Sequence, residues 1–137
     1  MNGTVARDEG TTAWSERIGG GPTAAFTARE MLGARLGEAV SPERLHDVLL
    51  LTTELVTNAV LHAGVGEDAT LELYVATMPD RMRVSVNDPG GATKPSVQDL
   101  DPTVPGGMGL FLVEQISDRW GVEEGSGCDV WFELPRS

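Results

Sequence analysis

The chain has 137 residues, 40% of them hydrophobic, and carries ten lysines and arginines against 21 aspartates and glutamates, a formal net charge of −11. That length fits one domain with a proper core, while the charge argues against a nucleic-acid groove and an anionic membrane surface but leaves room for a nucleotide held by backbone N–H groups and a divalent cation. A single cysteine, Cys128, excludes an intrachain disulfide and a cysteine metal cluster; no stretch approaches a membrane span and no basic, apolar secretory segment opens the chain, so the cytoplasm is the expected compartment.

Residues 1–21 are polar and rich in glycine and threonine, ending at Gly19-Gly20-Gly21. They read as a flexible or edge segment ahead of a domain over residues 22–137, with the Trp14 side packing as an edge strand or a dimer contact. Phe26 to Ala39 has helical spacing at Met31, Leu32, Leu36 and Ala39. The long helix comes next, from Pro42 to Ala63. Ser41 is a capping residue before it, Pro42 suits its first turn, and Gly64 lies just beyond its end. Leu45, Val48, Leu49, Thr52, Leu55, Val56, Ala59 and Val60 share one broad side of it, which should lie on a sheet or another helix.

Thr70–Val75 and Arg81–Val86 alternate about the turn Met78-Pro79-Asp80, an antiparallel hairpin with Leu71, Leu73, Val75 and Met82, Val84, Val86 facing one way. Asp88 to Gly107 holds four prolines and four glycines without apolar period and reads as a binding loop or lid. Helical spacing resumes from Leu110 to Trp120. Gly121–Glu123 and Asp129–Leu134 form a closing hairpin about Gly125-Ser126-Gly127. Helices and antiparallel pairs without a βαβ alternation imply an α+β two-layer sandwich, a mixed, largely antiparallel sheet packed against about three helices.

Three segments carry chemistry. Glu54 and Asn58 stand apart from the apolar side of the long helix, one turn from each other, flanked by Leu51 and Leu61. A carboxylate and an amide placed there need a polar partner, such as a hydrated cation or a bound ligand. Val86-Asn87-Asp88-Pro89-Gly90-Gly91 ends a strand in an aspartate that can accept from an exocyclic purine amine. Gly106-Gly107-Met108-Gly109-Leu110 opens a helix whose first N–H groups are free for an anion. Taken singly, each also fits an ordinary feature: a surface helix residue, a turn after a strand, a loop feeding a helix. The glycine segment lacks both the P-loop lysine and a βαβ unit.

In combination, these boxes resemble the bacterial anti-sigma-factor serine/threonine kinase family, within the superfamily of histidine-kinase, gyrase, heat-shock-chaperone and MutL ATPase domains. The resemblance runs from Phe26 to Pro135 through Glu54-Leu55-Val56-Thr57-Asn58-Ala59-Val60 with His62, Val86-Asn87-Asp88-Pro89-Gly90, and Gly107-Met108-Gly109-Leu110 with Leu112-Val113. Asp118-Arg119-Trp120-Gly121-Val122 and Val130–Pro135 match its C-terminal habit. It implies ATP and Mg²⁺ as cofactors, Glu54 as catalytic base, and Asn58 as the Mg²⁺ ligand. Asp88 would hold adenine with Gly90 beneath the base, and Gly107, Gly109 and Leu110 would lie beside the phosphates. The implied partners are a sigma factor and an anti-sigma-factor antagonist, with a homodimer allowed and neither nucleic acid nor membrane expected.

Two departures stand near this pocket: Ala92 where relatives often have glycine, and Cys128-Asp129 where small hydroxyl or basic residues are usual. His62 reads as a helix-end residue, Lys94 as part of the loop, Arg119 as a tie for the helix end, and Cys128 as inert and partly buried. The rival readings are a nucleotide-binding module without kinase turnover and a degenerate protein-interaction domain.

Overall fold

Nine elements follow one another along the chain: β1 (Gly3–Asp8), β2 (Thr11–Gly19), α1 (Ala24–Leu36), α2 (Pro42–His62), β3 (Thr70–Thr77), β4 (Arg81–Asp88), α3 (Gly107–Ile116), β5 (Arg119–Gly125) and β6 (Gly127–Pro135). The structure is a computed structural model describing residues 3–8, 11–62, 70–88, 107–125 and 127–136. The six strands form one sheet in the order β1-β2-β3-β4-β6-β5, with every described pairing antiparallel. Three helices lie on one face, α2 between α1 and α3. This is the expected α+β two-layer sandwich.

Alternation sorts the sheet into a dry face and an open one. Leu71, Leu73 and Val75 on β3, Met82, Val84 and Val86 on β4, and Phe132 and Leu134 on β6 are all buried beneath the helices. Val48, Leu51, Leu55 and Val56 of α2 close over them. Each large side chain so buried contributes about 1.5–3 kcal/mol. α2 begins where Ser41 and Pro42 direct: the Ser41 hydroxyl accepts from the Arg44 N–H at 3.3 Å.

Thr52 also faces this core, fully buried, and its hydroxyl has no hydrogen-bond partner among the described residues. Its neighbour Thr53 behaves differently, donating to the Leu49 carbonyl at 2.7 Å. Thr52→Val is therefore expected to raise the unfolding free energy by about 1–2 kcal/mol, by removing an unpaired buried hydroxyl at constant shape. Urea unfolding checks this, and a lower midpoint would mean that the hydroxyl is satisfied in solution.

Several assignments differ from the sequence reading. The first helix runs over Ala24–Leu36, not Phe26–Ala39; beyond it Ala39 N–H turns back to the Leu36 carbonyl at 2.9 Å. The third helix stops at Ile116 instead of Trp120. Ser117 ends it by donating both its N–H (3.0 Å) and its hydroxyl (2.6 Å) to the Val113 carbonyl, and Asp118 N–H crosses to the Glu133 carbonyl at 2.9 Å. Trp120 thereby belongs to β5, opposite Phe132. In the N-terminal segment, β2 is an interior strand between β1 and β3. Trp14 is core and not on an edge strand: it is 6% exposed, pairs with Val75, and lies 4.4 Å beneath the Arg35 guanidinium of α1. Arg35 also bonds Glu16 of β2 at 3.0 Å, pinning α1 to the sheet.

The open face carries a buried charge. Glu133 of β6 sits opposite Arg83 of β4 and Arg119 of β5, and Arg81 approaches it as well. The Arg83 guanidinium stacks 3.8 Å from the Trp131 ring centroid. Gly121 faces that indole from β5, where a Cβ would come within 2.8 Å of the ring, so the close approach requires glycine.

Candidate functional site

α2 sets Glu54 and Asn58 one turn apart on its flank. Asn58 is 5% exposed, and both its amide oxygen and amide nitrogen are buried without a partner among the described residues. An amide can make up to about four hydrogen bonds, so this is an expensive arrangement for a group with only a structural role. Glu54 is partly buried, and that burial pushes its carboxyl above the usual 4.5.

Asp88 is the last residue of β4, 4% exposed, on the same face as Val86, Val84 and Met82. Its direct cross-strand neighbour on β6 is Cys128, itself buried. The cysteine read from the sequence as inert therefore stands beside the aspartate. A signal for this exists only in the β4–β6 register, a long-range pairing that neither strand's own residues reveal. Asp129, the other half of that departure, pairs with Asn87. These two residues line an open groove of about 370 Å³ with Glu72, Tyr74, Arg83 and Ser85. Asn87 and Asp129 thus face away from the Asp88 side of the sheet.

α3 begins at Gly107, so Gly107, Gly109 and Leu110 form its opening turn, where backbone N–H groups lack intrahelical acceptors. The helix packs along α2, which also covers β4. The helix carrying Glu54 and Asn58 thus neighbours both the strand that ends in Asp88 and the helix that opens with the glycine turn. Gly90, Ala92, Lys94 and the rest of the expected loop over 89–106 lie outside the described residues, as does the His62 side chain. Arg119, read as a tie for the helix end, joins β5 to Glu133 of β6.

The donor set suits a hard cation in one respect. Asn58 offers an amide oxygen that is already desolvated and unclaimed. No group of three or more His, Cys, Asp or Glu side chains converges among the described residues. A divalent ion at Asn58 would accordingly draw most of its shell from a ligand's oxygens and from water, as Mg²⁺ commonly does. None of the described helices is long and apolar enough to cross a membrane.

The family model described as the histidine kinase-like ATPase domain matches residues 21–133. A serine-protein kinase RsbW from Bacillus pumilus is 31% identical, the match covering 64% of this chain and 63% of that protein. Its counterpart from Staphylococcus aureus is 27% identical over 63% of this chain and 62% of its own. The chain thus spans less than two thirds of the length of these relatives. Among solved structures, the RsbU and RsbW domains of a Mycobacterium tuberculosis protein superpose with a TM-score of 0.58 at 22% identity, covering 89% of this chain and 32% of that one, a likeness of fold. With the matched model spanning α1 to β6, the chain belongs to the histidine kinase-like ATPase domain family.

Proposed function

We propose that this domain binds ATP with Mg²⁺ and works as an anti-sigma regulator in the cytoplasm, phosphorylating a serine or threonine of an antagonist protein and sequestering a sigma factor. The observation that carries the reading is Asn58, whose buried amide lacks a partner among the described residues and stands one turn from a partly buried carboxylate. Kinship with proteins named serine-protein kinases supports phosphoryl transfer as the reaction.

In this reading each residue has one task. Asp88 accepts from the exocyclic amine of the base, and the first turn of α3 donates N–H groups to the phosphates. Asn58 turns its amide oxygen toward the cation, which supplies neutralisation of phosphate charge. Glu54 takes the proton of the incoming hydroxyl. The phosphates are the source of transferred charge, so a low-dielectric wall such as α2 strengthens every one of these contacts.

Calorimetric titration with ATP, with and without Mg²⁺, tests the binding half. Asp88→Asn replaces an acceptor by a donor facing a donor, and is expected to weaken ATP by roughly 1.5–3 kcal/mol, about tenfold to more than a hundredfold. Asn58→Leu should weaken binding chiefly when Mg²⁺ is present. Wild-type affinity in folded Asp88→Asn would remove the aspartate from the base site. Equal losses for Asn58→Leu with and without chelator would make Asn58 a wall residue.

A further inference from the structure

α3 lies along α2 and meets the sheet at β5, and among the described residues its polar ties to the sheet gather at its C-terminal half. Ser117 closes the helix on the Val113 carbonyl, Asp118 N–H reaches the Glu133 carbonyl at 2.9 Å, and Arg119 grips the Glu133 carboxylate. Trp120 packs against the core from β5, and its indole N–H donates to the Glu114 carboxylate of α3. Neither the core nor the strand pairing of β5 requires that last contact, since the Trp120 ring is packed without it and Glu114 is solvent-exposed.

The opposite end of α3 is the glycine turn at Gly107, seven residues before Glu114. Two turns of helix separate them, about 10 Å, so a tilt of about 10° at the pinned end displaces the first turn by roughly 2 Å. N–H groups aimed at an anion lose most of their hydrogen-bond strength over such a distance. We infer that the Trp120–Glu114 contact is a positioning device, setting the angle at which α3 presents its opening N–H groups to the phosphates. This rests on the ATP-binding reading above.

The test is a double-mutant cycle read in Mg²⁺-ATP affinity and, in parallel, in thermal midpoint. Trp120→Phe keeps the ring and removes the donor; Glu114→Ala removes the acceptor; Glu114→Gln keeps an acceptor oxygen. Trp120→Phe and Glu114→Ala should each weaken Mg²⁺-ATP by about threefold to tenfold, the double variant no further than either, with Glu114→Gln close to wild type. A purely structural clip would lower the midpoints and leave the affinity of the folded variants unchanged. Wild-type affinity in both single variants therefore overturns the inference while the binding reading stands. No binding of Mg²⁺-ATP by the wild-type chain overturns both.

Discussion

Replacing Glu133 by glutamine is expected to lower the unfolding free energy by about 2–3 kcal/mol at neutral pH, and by progressively less in acid. The carboxylate is 4% exposed and accepts from Arg119 Nε at 3.0 Å and Nη2 at 2.5 Å and from Arg83 Nη1 at 3.2 Å, with Arg81 Nε at 3.7 Å. Burial by itself would raise its pKa. The hydrogen bonds from Arg119 and Arg83 and the charges of Arg119 and Arg81 outweigh it and hold the group below 4.5. A folded-state pKa that is depressed gives stabilisation that is present above the unfolded-state value and lost as pH falls through the folded one. The gap between wild type and Glu133→Gln should accordingly be full at pH 6–8 and close below about pH 4.5. Fully buried pairs lose about 3–5 kcal/mol when broken; here Arg119 and Arg81 keep much of their surface in water, which reduces the figure. Urea midpoints across pH 3–8 decide the matter, and a gap that does not narrow in acid would mean that Glu133 does not stabilise as an anion.

The Glu133 cluster also marks what sequence reading does not reach. Its four members lie on three strands, and only the order β4-β6-β5 brings them together. Local signals worked wherever one element determined its own pattern. Ser41-Pro42 started α2 as expected, and the alternation of Leu71 to Val75 and Met82 to Val86 identified the hairpin and its dry face. They failed where an apolar residue belonged to a different element from the one its spacing suggested. Trp120 sits four residues after Ile116, so it continues the helical period, yet it packs against the core, partly buried, from a strand. In β2 the inward position between Trp14 and Ile18 is Glu16, whose charge hid the alternation because its partner, Arg35, arrives from α1. For the site, the legible part was residue type on one helix, Glu54 with Asn58; that Asn58 is dry and has no partner among the described residues, and that Cys128 borders Asp88, depend on packing and register.

Glu54→Gln is expected to leave ATP affinity near that of the wild type and to slow phosphoryl transfer to the antagonist by at least about 10². Glutamine keeps the size of the side chain and most of its hydrogen bonding while abolishing its charge and basicity. A general base contributes typically about 10²–10⁴ in rate, roughly 3–5 kcal/mol of barrier, and little to ground-state binding, which a carboxylate near phosphate even opposes. Partial burial pushes the Glu54 carboxyl above 4.5, the direction that strengthens it as a base toward a hydroxyl proton. Wild-type transfer should therefore fall as the pH drops through that raised value, and the glutamine variant should lack this acid limb. A carboxylate that only solubilises the helix would move neither the rate nor its pH profile. Single-turnover transfer from labelled ATP, at saturating nucleotide and over a range of pH, separates these outcomes. Equal rates in wild type and Glu54→Gln would remove Glu54 as the base. Tight ATP binding by the wild type without transfer to any antagonist would make the domain a nucleotide-dependent binding module, in which the raised carboxyl of Glu54 has no proton to take.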